Sequence, residues 1–170
     1  MDAKTCLQKL QYVGVLAFAT TDAGGNPQVR NISAIHYEPD AMYFFTARGK
    51  DFCQELLTDG RVQILGYTRF KEMIRLSARA VPVAEDQQKH WMDVIFQEQP
   101  YLSNVYPGTT REIGIVFAIR QGCITPGQPY KIAQEHCLHC GNCREHCPVS
   151  AVIRRQEKDE KAFNSNIIQE

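Results

Sequence analysis

Four cysteines lie close together near the end of the chain. They are Cys137, Cys140, Cys143 and Cys147, separated by two, two and three residues, and Pro148 follows the last one. Thiolates at this spacing can close around an iron–sulfur cube, because a tight glycine-containing loop directs three sulfurs inward. The spacing therefore predicts a one-electron transfer centre. The next question is which elements position this centre, and how the rest of the chain uses the electrons.

The segment 130–153 resembles one half of a two-cluster bacterial ferredoxin. The likeness includes a leading Tyr-x-Ile stretch, a glycine after the second cysteine, a proline after the fourth and a small residue before a trailing strand. The alternative is a structural zinc site. Zinc ribbons normally separate two Cys-x-x-Cys knuckles by a longer insert, whereas here the third cysteine follows the second after two residues.

The fourth ligand of the predicted cluster has three candidates. In two-cluster ferredoxins the cysteine before the proline binds the other cluster, and this chain has one complete motif. By default Cys147 bends back to complete its own cluster. Alternatively Cys123 completes it, because the segment that begins there resembles the trailing end of a preceding ferredoxin half. A cysteine from a second subunit is the third candidate.

Composition describes a globular protein without a strong electrostatic bias. The 170 residues carry 19 Lys and Arg against 19 Asp and Glu, with 44% hydrophobic residues. A neutral chain gives no bulk argument for binding nucleic acid or an anionic membrane, so we expect neither. No apolar run approaches the roughly 20 residues that span a bilayer, and the N-terminus lacks a signal-peptide core. These features predict a cytoplasmic protein. The seven cysteines fit metal ligation better than a disulfide framework, and Cys6 and Cys53 read as buried thiols.

Hydrophobic periodicity predicts a mainly β fold with peripheral helices. Strands are predicted over 13–20, 27–37, 42–46, 61–67, 71–83 and 113–119, and helices over 3–11, 49–58 and 85–97. In the second helix the residues expected to face the core are Phe52, Leu56 and Leu57. Six strands with few helices favour a small six-stranded antiparallel split barrel. A turn-rich stretch begins at residue 122, so we expect a barrel domain over 1–121 and a ferredoxin-like α+β cluster-binding segment over 122–170.

Three stretches of the predicted barrel resemble the pyridoxamine 5′-phosphate oxidase-like FMN-binding split barrels. They are Pro-x-x-Arg ending at Arg30, an aromatic-Thr strand end at Phe45 and Thr46, and an Arg-Val strand that follows a helix beginning near Lys50. The resemblance covers about residues 10–120. Within this family, the chain is more similar to the flavin reductase and nitroimidazole-resistance branch, both in its length and in its Val-Leu-Ala-Phe-Ala-Thr-Thr-Asp opening.

The resemblance implies an FMN site, and elementary chemistry supports a phosphate there. Cations beside a helix start can hold a phosphate through charge-assisted hydrogen bonds and exposed N–H groups. Backbone groups of residues 30–35 are expected to face the isoalloxazine, as in the family. The predicted cofactor-binding residues are Arg30, Asn31, Ile32, Ser33, Phe45, Thr46, Arg48, Lys50 and Arg75.

Two departures from the vitamin oxidase pattern bear on the substrate. The chain has Gly49-Lys50 in place of the paired Arg-Lys, and no C-terminal substrate-binding Arg/His signature is recognisable. Pyridoxamine phosphate is therefore not the expected substrate. His36, which follows the Arg30 strand, is a candidate acid near the flavin, and the alternative is an ordinary hydrogen-bonded or exposed histidine. Tyr101 and Tyr106 are expected to line the flavin pocket or to pack the barrel mouth.

Together the two sites predict an FMN-dependent oxidoreductase with a 4Fe-4S centre. The expected reaction is reduction of a small electron-poor molecule, nitro or quinone-like, with electrons from a ferredoxin-like or reductase partner. The family resemblance implies a homodimer with FMN at the subunit interface. Three rivals remain: a non-enzymatic redox relay or sensor, a haem-handling barrel, and a flavin barrel with a structural zinc. No Gly-x-Gly-x-x-Gly nicotinamide fingerprint is present in the sequence.

Overall fold

The structure is a computed structural model that describes residues 2–125. The chain divides into two compact units, Met1–Gln128 and Pro129–Glu170. The four clustered cysteines lie outside the described residues, so the iron–sulfur site stays a prediction from sequence. The predicted domain boundary at residue 121 also stays a prediction.

Nine strands and four α-helices make up the described part of the first unit. The helices are α1 (Ala3–Gln11), α2 (Asp51–Thr58), α3 (Glu85–Glu98) and α4 (Leu102–Val105). The strands are β1 (Leu16–Thr21), β2 (Pro27–Ile32), β3 (Ile35–Glu38), β4 (Ala41–Ala47), β5 (Arg61–Tyr67), β6 (Met73–Arg79), β7 (Val81–Pro82), β8 (Gly114–Arg120) and β9 (Ile124–Thr125). Short 3₁₀ helices span Gly108–Ile113 and Gln121–Cys123.

The strands form two antiparallel sheets, which confirms the predicted antiparallel barrel, but the described residues contain nine strands and not the predicted six. One sheet has the order β2-β1-β5-β6-β9 and the other has the order β3-β4-β8-β7. Two segments predicted as single long strands, 27–37 and 71–83, are each broken in the structure. Each break moves the chain from the five-stranded sheet to the four-stranded sheet, so the two sheets are linked at two corners.

A backbone hydrogen bond lies at each break. At the first corner the Ile35 amide donates to the Ser33 carbonyl at 2.9 Å, which bends the chain between β2 and β3. At the second corner the Ala80 amide donates to the Gly60 carbonyl at 2.8 Å, and then Val81 pairs with Ala118 of β8. Gly60 has φ +72, and a Cβ there would lie 3.0 Å from the Ala80 carbonyl oxygen. Glycine therefore suits this corner both in conformation and in space.

The four-stranded sheet is covered on both faces. Along β4 the side chains alternate between two clusters: Met42 and Phe44 point into the barrel, while Tyr43 and Phe45 pack toward α3. All seven residues of β4 are buried as a result. Continuous apolar runs such as Ala41–Ala47 are typical of strands buried on both faces.

The five-stranded sheet has a different outer face. Strand β5 alternates strictly between exposed and buried positions, and β6 follows nearly the same pattern. The predicted period of two in β6 is therefore confirmed. Within the described residues, the outward positions of this sheet include four exposed apolar side chains, Val29, Leu65, Tyr67 and Met73.

The core-facing side of α2 differs from the sequence expectation. Leu57 was expected to face the core, but its side chain is 48% exposed. The barrel-facing side of α2 instead carries Phe52, Cys53, Glu55 and Leu56, so a carboxylate takes a place that the pattern assigned to leucine. On α3, Ile95 is buried. Within residues 2–125, no helix is long and apolar enough to cross a membrane.

Candidate functional site

The turn between β4 and α2 presents two cations at the start of a helix. Arg48, Gly49 and Lys50 are all exposed, and Lys50 occupies the N-cap position of α2. No side chain caps this helix start by hydrogen bonding. Uncapped N–H groups beside two cations favour an anion such as a phosphate.

The two cations of this turn also contact the α3–α4 side of the molecule. The Lys50 ammonium lies 5.8 Å from the centre of the Tyr106 ring. The Arg48 guanidinium is 4.0 Å from a carboxylate oxygen of Glu85, a long and exposed ion pair that contributes little. Both cations therefore remain largely accessible to a ligand.

Phe45 and Thr46, the predicted binding residues at the end of β4, have buried side chains. The Phe45 ring packs edge-on against Phe96 and Tyr106, with ring centres 5.2 and 5.0 Å apart. Tyr106 thus packs in the cluster between β4 and α3.

Arg30 lies on the other side of α2 and is held in an ion pair. One guanidinium nitrogen, Nη2, lies 2.8 Å from Oε2 and 3.2 Å from Oε1 of Glu55, and the other, Nη1, donates to the Thr20 hydroxyl. That hydroxyl in turn donates to Glu55. The guanidinium also lies 4.6 Å from the centre of the Phe52 ring. The side chains of Arg30 and Glu55 are 22% and 5% exposed, so this pair is mostly removed from water.

An open pocket of about 430 Å³ lies beside this ion pair. Its lining residues are Asp22, Ala23, Gly24, Gln28, Arg30, Asp51 and Glu55. Three carboxylates against one guanidinium make it an acidic pocket. The Asn26 amide, together with Gln28 and other donors, hydrogen-bonds the Asp22 carboxylate and lowers its pKa, so that group stays charged at neutral pH.

The predicted isoalloxazine strip runs along an edge of the five-stranded sheet. Strand β2 pairs with β1 on one side only, so among the described residues one row of its backbone groups has no strand partner. Asn31 is exposed, while Ile32 is half-buried against the barrel core. The Ser33 hydroxyl is 2.6 Å from the Tyr101 hydroxyl, which brings the segment after α3 to this strip.

His36 lies between two carboxylates. Its Nδ1 is 2.9 Å from Glu98 of α3, and its Nε2 is 3.1 Å from Glu38. The predicted role of His36 as an acid for a substrate is not tested by this arrangement, but both ring nitrogens already have partners.

The remaining predicted residues lie elsewhere on the barrel. Arg75 is exposed on the outer face of β6, opposite Leu65 in the strand register. Cys123, the alternative cluster ligand, ends a short 3₁₀ helix immediately before β9 and is half-buried. Burial raises the pKa of both the Cys6 and the Cys53 thiols; Cys53 is buried as expected, whereas Cys6 is only half-buried.

The structure thus separates the predicted cations into groups. Arg48 and Lys50 flank the start of α2, Arg30 is bound to Glu55 across the same helix, and Arg75 is on the outer face of the sheet. Glu55 and Thr20 were missed by the sequence reasoning. A signal for Glu55 was present, because it lies among the apolar residues of α2, between Phe52 and Leu56. Glu98 had no such signal.

A two-sheet antiparallel barrel with cations at a helix start is the architecture of the split-barrel class. The chain belongs to the pyridoxamine 5′-phosphate oxidase family, whose model matches residues 3–112. A model for 4Fe-4S binding domains matches residues 130–153. Both resemblances stated from the sequence are confirmed. A comparison with curated proteins finds no match.

Solved structures share the fold of the barrel. A NimC/NimA family protein from Clostridium acetobutylicum is 21% identical over 69% of this chain and 78% of its own, with a TM-score of 0.56. A FAD-binding protein from Mesorhizobium loti is 16% identical over 71% of this chain and 89% of its own, with a TM-score of 0.56. The heme storage protein HutZ from Vibrio cholerae is 18% identical over 76% and 93%, with a TM-score of 0.52. At these identities the likeness concerns the fold alone.

Proposed function

We propose that this protein is an FMN-dependent oxidoreductase with a 4Fe-4S electron-transfer centre, which reduces a small electron-poor molecule of nitro or quinone type. The observation that carries the proposal is the presence, in one chain, of a barrel of the pyridoxamine 5′-phosphate oxidase family and a complete four-cysteine motif. When bound, FMN exchanges one or two electrons and a cube exchanges one, so the pair can couple organic redox chemistry to single-electron carriers.

The described residues fit a flavin phosphate at the start of α2. Arg48 and Lys50 supply exposed positive charge, and the helix start carries no side-chain cap. Gly49 leaves open space between them, since nothing lies within 4 Å of a Cβ built there. These three features would let a phosphate approach the backbone closely. The exposed edge of β2, including Asn31 and Ser33, is the proposed support for the isoalloxazine, and Arg75 remains a proposed contact.

Arg30 has a second role in this proposal. Its charge is already balanced by Glu55, so it adds less net positive potential to a phosphate site than its sequence position implies. The guanidinium still lines an open pocket and keeps donors that Glu55 and Thr20 do not use. We therefore assign the main phosphate attraction to Arg48 and Lys50, with Arg30 as a hydrogen-bond donor.

The proposed cluster ligands are Cys137, Cys140, Cys143 and Cys147, with Cys123 as the alternative fourth. The donor set is chemically suited to iron, because four thiolates at this spacing are the ligands of a cube. A single zinc ion bound by the same thiolates is the competing occupant.

We infer that the protein is a homodimer in which a second copy covers the outer face of the five-stranded sheet. Leu65, Tyr67 and Met73 are exposed there, next to the small side chains of Ala17 and Ala19 on the neighbouring strand. Leu65→Arg should shift the protein toward monomer in sedimentation velocity. Leu57→Arg is the matched control, because Leu57 is similarly exposed, 48% against 40%, but lies on α2. A dimer that survives Leu65→Arg would contradict this interface.

The cofactors are tested by chemical analysis of anaerobically purified protein. Flavin, iron, sulfide and zinc are quantified on one sample of the wild type and of Cys140→Ser. We expect about four irons per chain in the wild type, and in Cys140→Ser a loss of iron with retention of flavin. Full iron content in the variant, or one zinc in place of iron, would overturn the cluster assignment. Absence of flavin would overturn the FMN assignment.

Turnover separates the enzyme from an electron relay. A reduced low-potential donor is supplied together with nitro or quinone acceptors, and reduction of the acceptor is followed anaerobically. Cofactors that are reduced and reoxidised without multiple turnovers of an organic acceptor would favour a relay or sensor over the proposed enzyme.

A further inference from the structure

The strongest feature outside the proposed phosphate site is a histidine held between two carboxylates of different elements. His36 belongs to β3, Glu38 to the end of the same strand, and Glu98 to the last position of α3. The two ring nitrogens reach one carboxylate each, at 2.9 Å for Glu98 and 3.1 Å for Glu38. The imidazole is therefore a bridge between the barrel and the C-terminal end of α3.

The His36 imidazole is mostly removed from water and is packed against aromatic rings, which restricts its movement and favours the two carboxylate contacts. The His36 side chain is 11% exposed. Its ring centre lies 5.6 Å from the Trp91 ring and 6.2 Å from the Tyr43 ring, and those two rings stack on each other at 3.8 Å. The titratable groups around it are thus Glu38 on β3, Glu98 on α3 and Tyr43 on β4, and His90 lies beside Trp91.

The number of protons on the His36 ring decides whether one or both of its contacts with the carboxylates are favourable. A neutral imidazole carries one N–H and can donate to one carboxylate, which leaves the lone pair of the other nitrogen facing an oxygen. An imidazolium has two N–H groups and can donate to both carboxylates at once. The observed geometry suits the protonated ring, and loss of that proton removes one of the two contacts.

The contact between His36 and Glu98 lies next to the β2 segment that is proposed to face the isoalloxazine. Three residues after Glu98, Tyr101 hydrogen-bonds Ser33, which ends the strip of β2 proposed to face the isoalloxazine. The segment that follows α3 is therefore attached to the β2–β3 corner by two polar contacts, one at His36 and one at Ser33. Release of the first leaves one polar contact, the exposed hydroxyl–hydroxyl hydrogen bond at Ser33, while Leu102 stays buried in the cluster with β4 and α3.

We propose that His36 is a positioning residue that works as a proton-operated clasp: protonated, it donates to Glu98 and Glu38 together and ties the end of α3 to β3, and deprotonated, it loses its charge and can donate to only one of them, which weakens the tie that holds Tyr101 at Ser33. The effect on flavin rests on the proposed function, whereas the clasp itself does not. The device would make flavin binding or orientation respond to pH through a group that does not touch the cofactor.

The chain supplies its own reporter for the clasp. Trp91 is the only tryptophan in the sequence, and it lies beside His36. The full-length protein is titrated between pH 5 and 9 while tryptophan fluorescence is followed, with circular dichroism as a check that each variant is folded. We expect a pH-dependent change in the wild type that is lost in His36→Gln. In Glu98→Gln, the change should be smaller than in the wild type, because the charge-assisted hydrogen bond between the imidazolium and Glu98 becomes a weaker bond to a neutral amide oxygen.

His90→Gln is the matched control, since His90 is also close to Trp91, with ring centres 4.9 Å apart, but is exposed. The control should keep the wild-type transition. A transition that persists in His36→Gln, or that disappears in His90→Gln, overturns the clasp. Should His36→Gln fail to fold, Glu98→Gln decides, and a fluorescence change as large as that of the wild type in that variant overturns the proposal.

A second measurement connects the clasp to the flavin. FMN affinity of the wild type is expected to weaken by about five-fold from the acid to the alkaline side of the transition, the low end of coupling between sites, and Glu98→Gln should flatten this dependence. An affinity independent of pH in the wild type overturns the link to the flavin strip. A protein that binds no FMN but keeps the His36-dependent fluorescence transition would refute the proposed function and leave the clasp standing.

Discussion

The two sides of α2 carry the same kind of residue in opposite surroundings. On one side, Arg30 is tied to the buried Glu55 and to Thr20, and its guanidinium lies over the Phe52 ring. On the other side, Arg48 and Lys50 are exposed at an uncapped helix start. From the sequence, all three were predicted to bind the cofactor. The structure distinguishes a cation that balances a buried carboxylate from cations that are available to a ligand.

The difference teaches that charge alone does not identify a phosphate site. A buried ion pair has lost much of its hydration, so removing one partner leaves an uncompensated charge at high cost. An exposed cation is still hydrated and balances no buried charge. It can therefore bind a ligand with little change in the stability of the fold. Variants on the two sides should therefore affect different properties, stability on the Arg30 side and flavin affinity on the Lys50 side.

The largest expected effect is on stability at the Arg30 side. Glu55→Ala should lower the free energy of unfolding by about 3 kcal/mol, because it leaves a mostly buried guanidinium without its carboxylate. Urea denaturation followed by circular dichroism measures this. The double variant Arg30→Met/Glu55→Leu should recover most of the loss, since an apolar pair of similar volume replaces the ion pair. A loss under 1 kcal/mol in Glu55→Ala would show that the pair is more hydrated than its burial implies.

The next effect is on flavin affinity at the Lys50 side. Lys50→Ala should weaken FMN binding by about 1.5–3 kcal/mol, the range for a hydrogen bond to a charged group, while riboflavin affinity stays unchanged. Its stability should stay within about 0.5 kcal/mol of the wild type. Fluorescence titration with the two flavins separates phosphate recognition from ring recognition. Lys89→Ala, an exposed cation on α3, is the control and should change neither affinity.

Arg30→Ala provides the direct comparison with Lys50→Ala. If Arg30 also donates to the phosphate, its removal weakens FMN binding by a similar amount of about 1.5–3 kcal/mol, but with a stability loss that Lys50→Ala does not show. Both quantities are measured on the same preparation, with affinity taken under conditions where the variant is fully folded. Unchanged FMN affinity in folded Arg30→Ala would remove Arg30 from the cofactor site and leave it with a structural role.

The smallest effect concerns the acid that lies between the two sides. Asp51 begins α2, next to Lys50, and also lines the pocket that contains Arg30. Asp51→Asn should strengthen FMN binding by about 0.5 kcal/mol, because a negative charge beside the phosphate is removed, and should lower stability by a similar amount through the helix dipole. Flavin affinity should therefore rise while stability falls. Calorimetric titration and urea denaturation together test whether the phosphate lies beside Asp51. Weaker FMN binding in Asp51→Asn would place the phosphate elsewhere.

Much of the barrel could be predicted from the sequence because its signals are local. The period of two in β6 and the continuous apolar run of β4 report directly whether one face or both faces of a strand are covered. The corner at Ser33 had no comparable signal. A single hydrogen bond within a run that reads as one strand redirects the chain into the other sheet, and nothing in residues 27–37 marks that point.

The candidate site divides in the same way. The sequence by itself determined the four-cysteine spacing, the exposed cations before α2 and the membership of a family with a known order of motifs, because each depends on neighbours along the chain. Only the tertiary structure decided that Arg30 belongs to Glu55, 25 residues away, and that His36 meets Glu98, 62 residues away. Such pairings depend on how sheets and helices pack against each other. The packing energy is spread over many side chains, so the identity of the two paired residues does not reveal that they will meet.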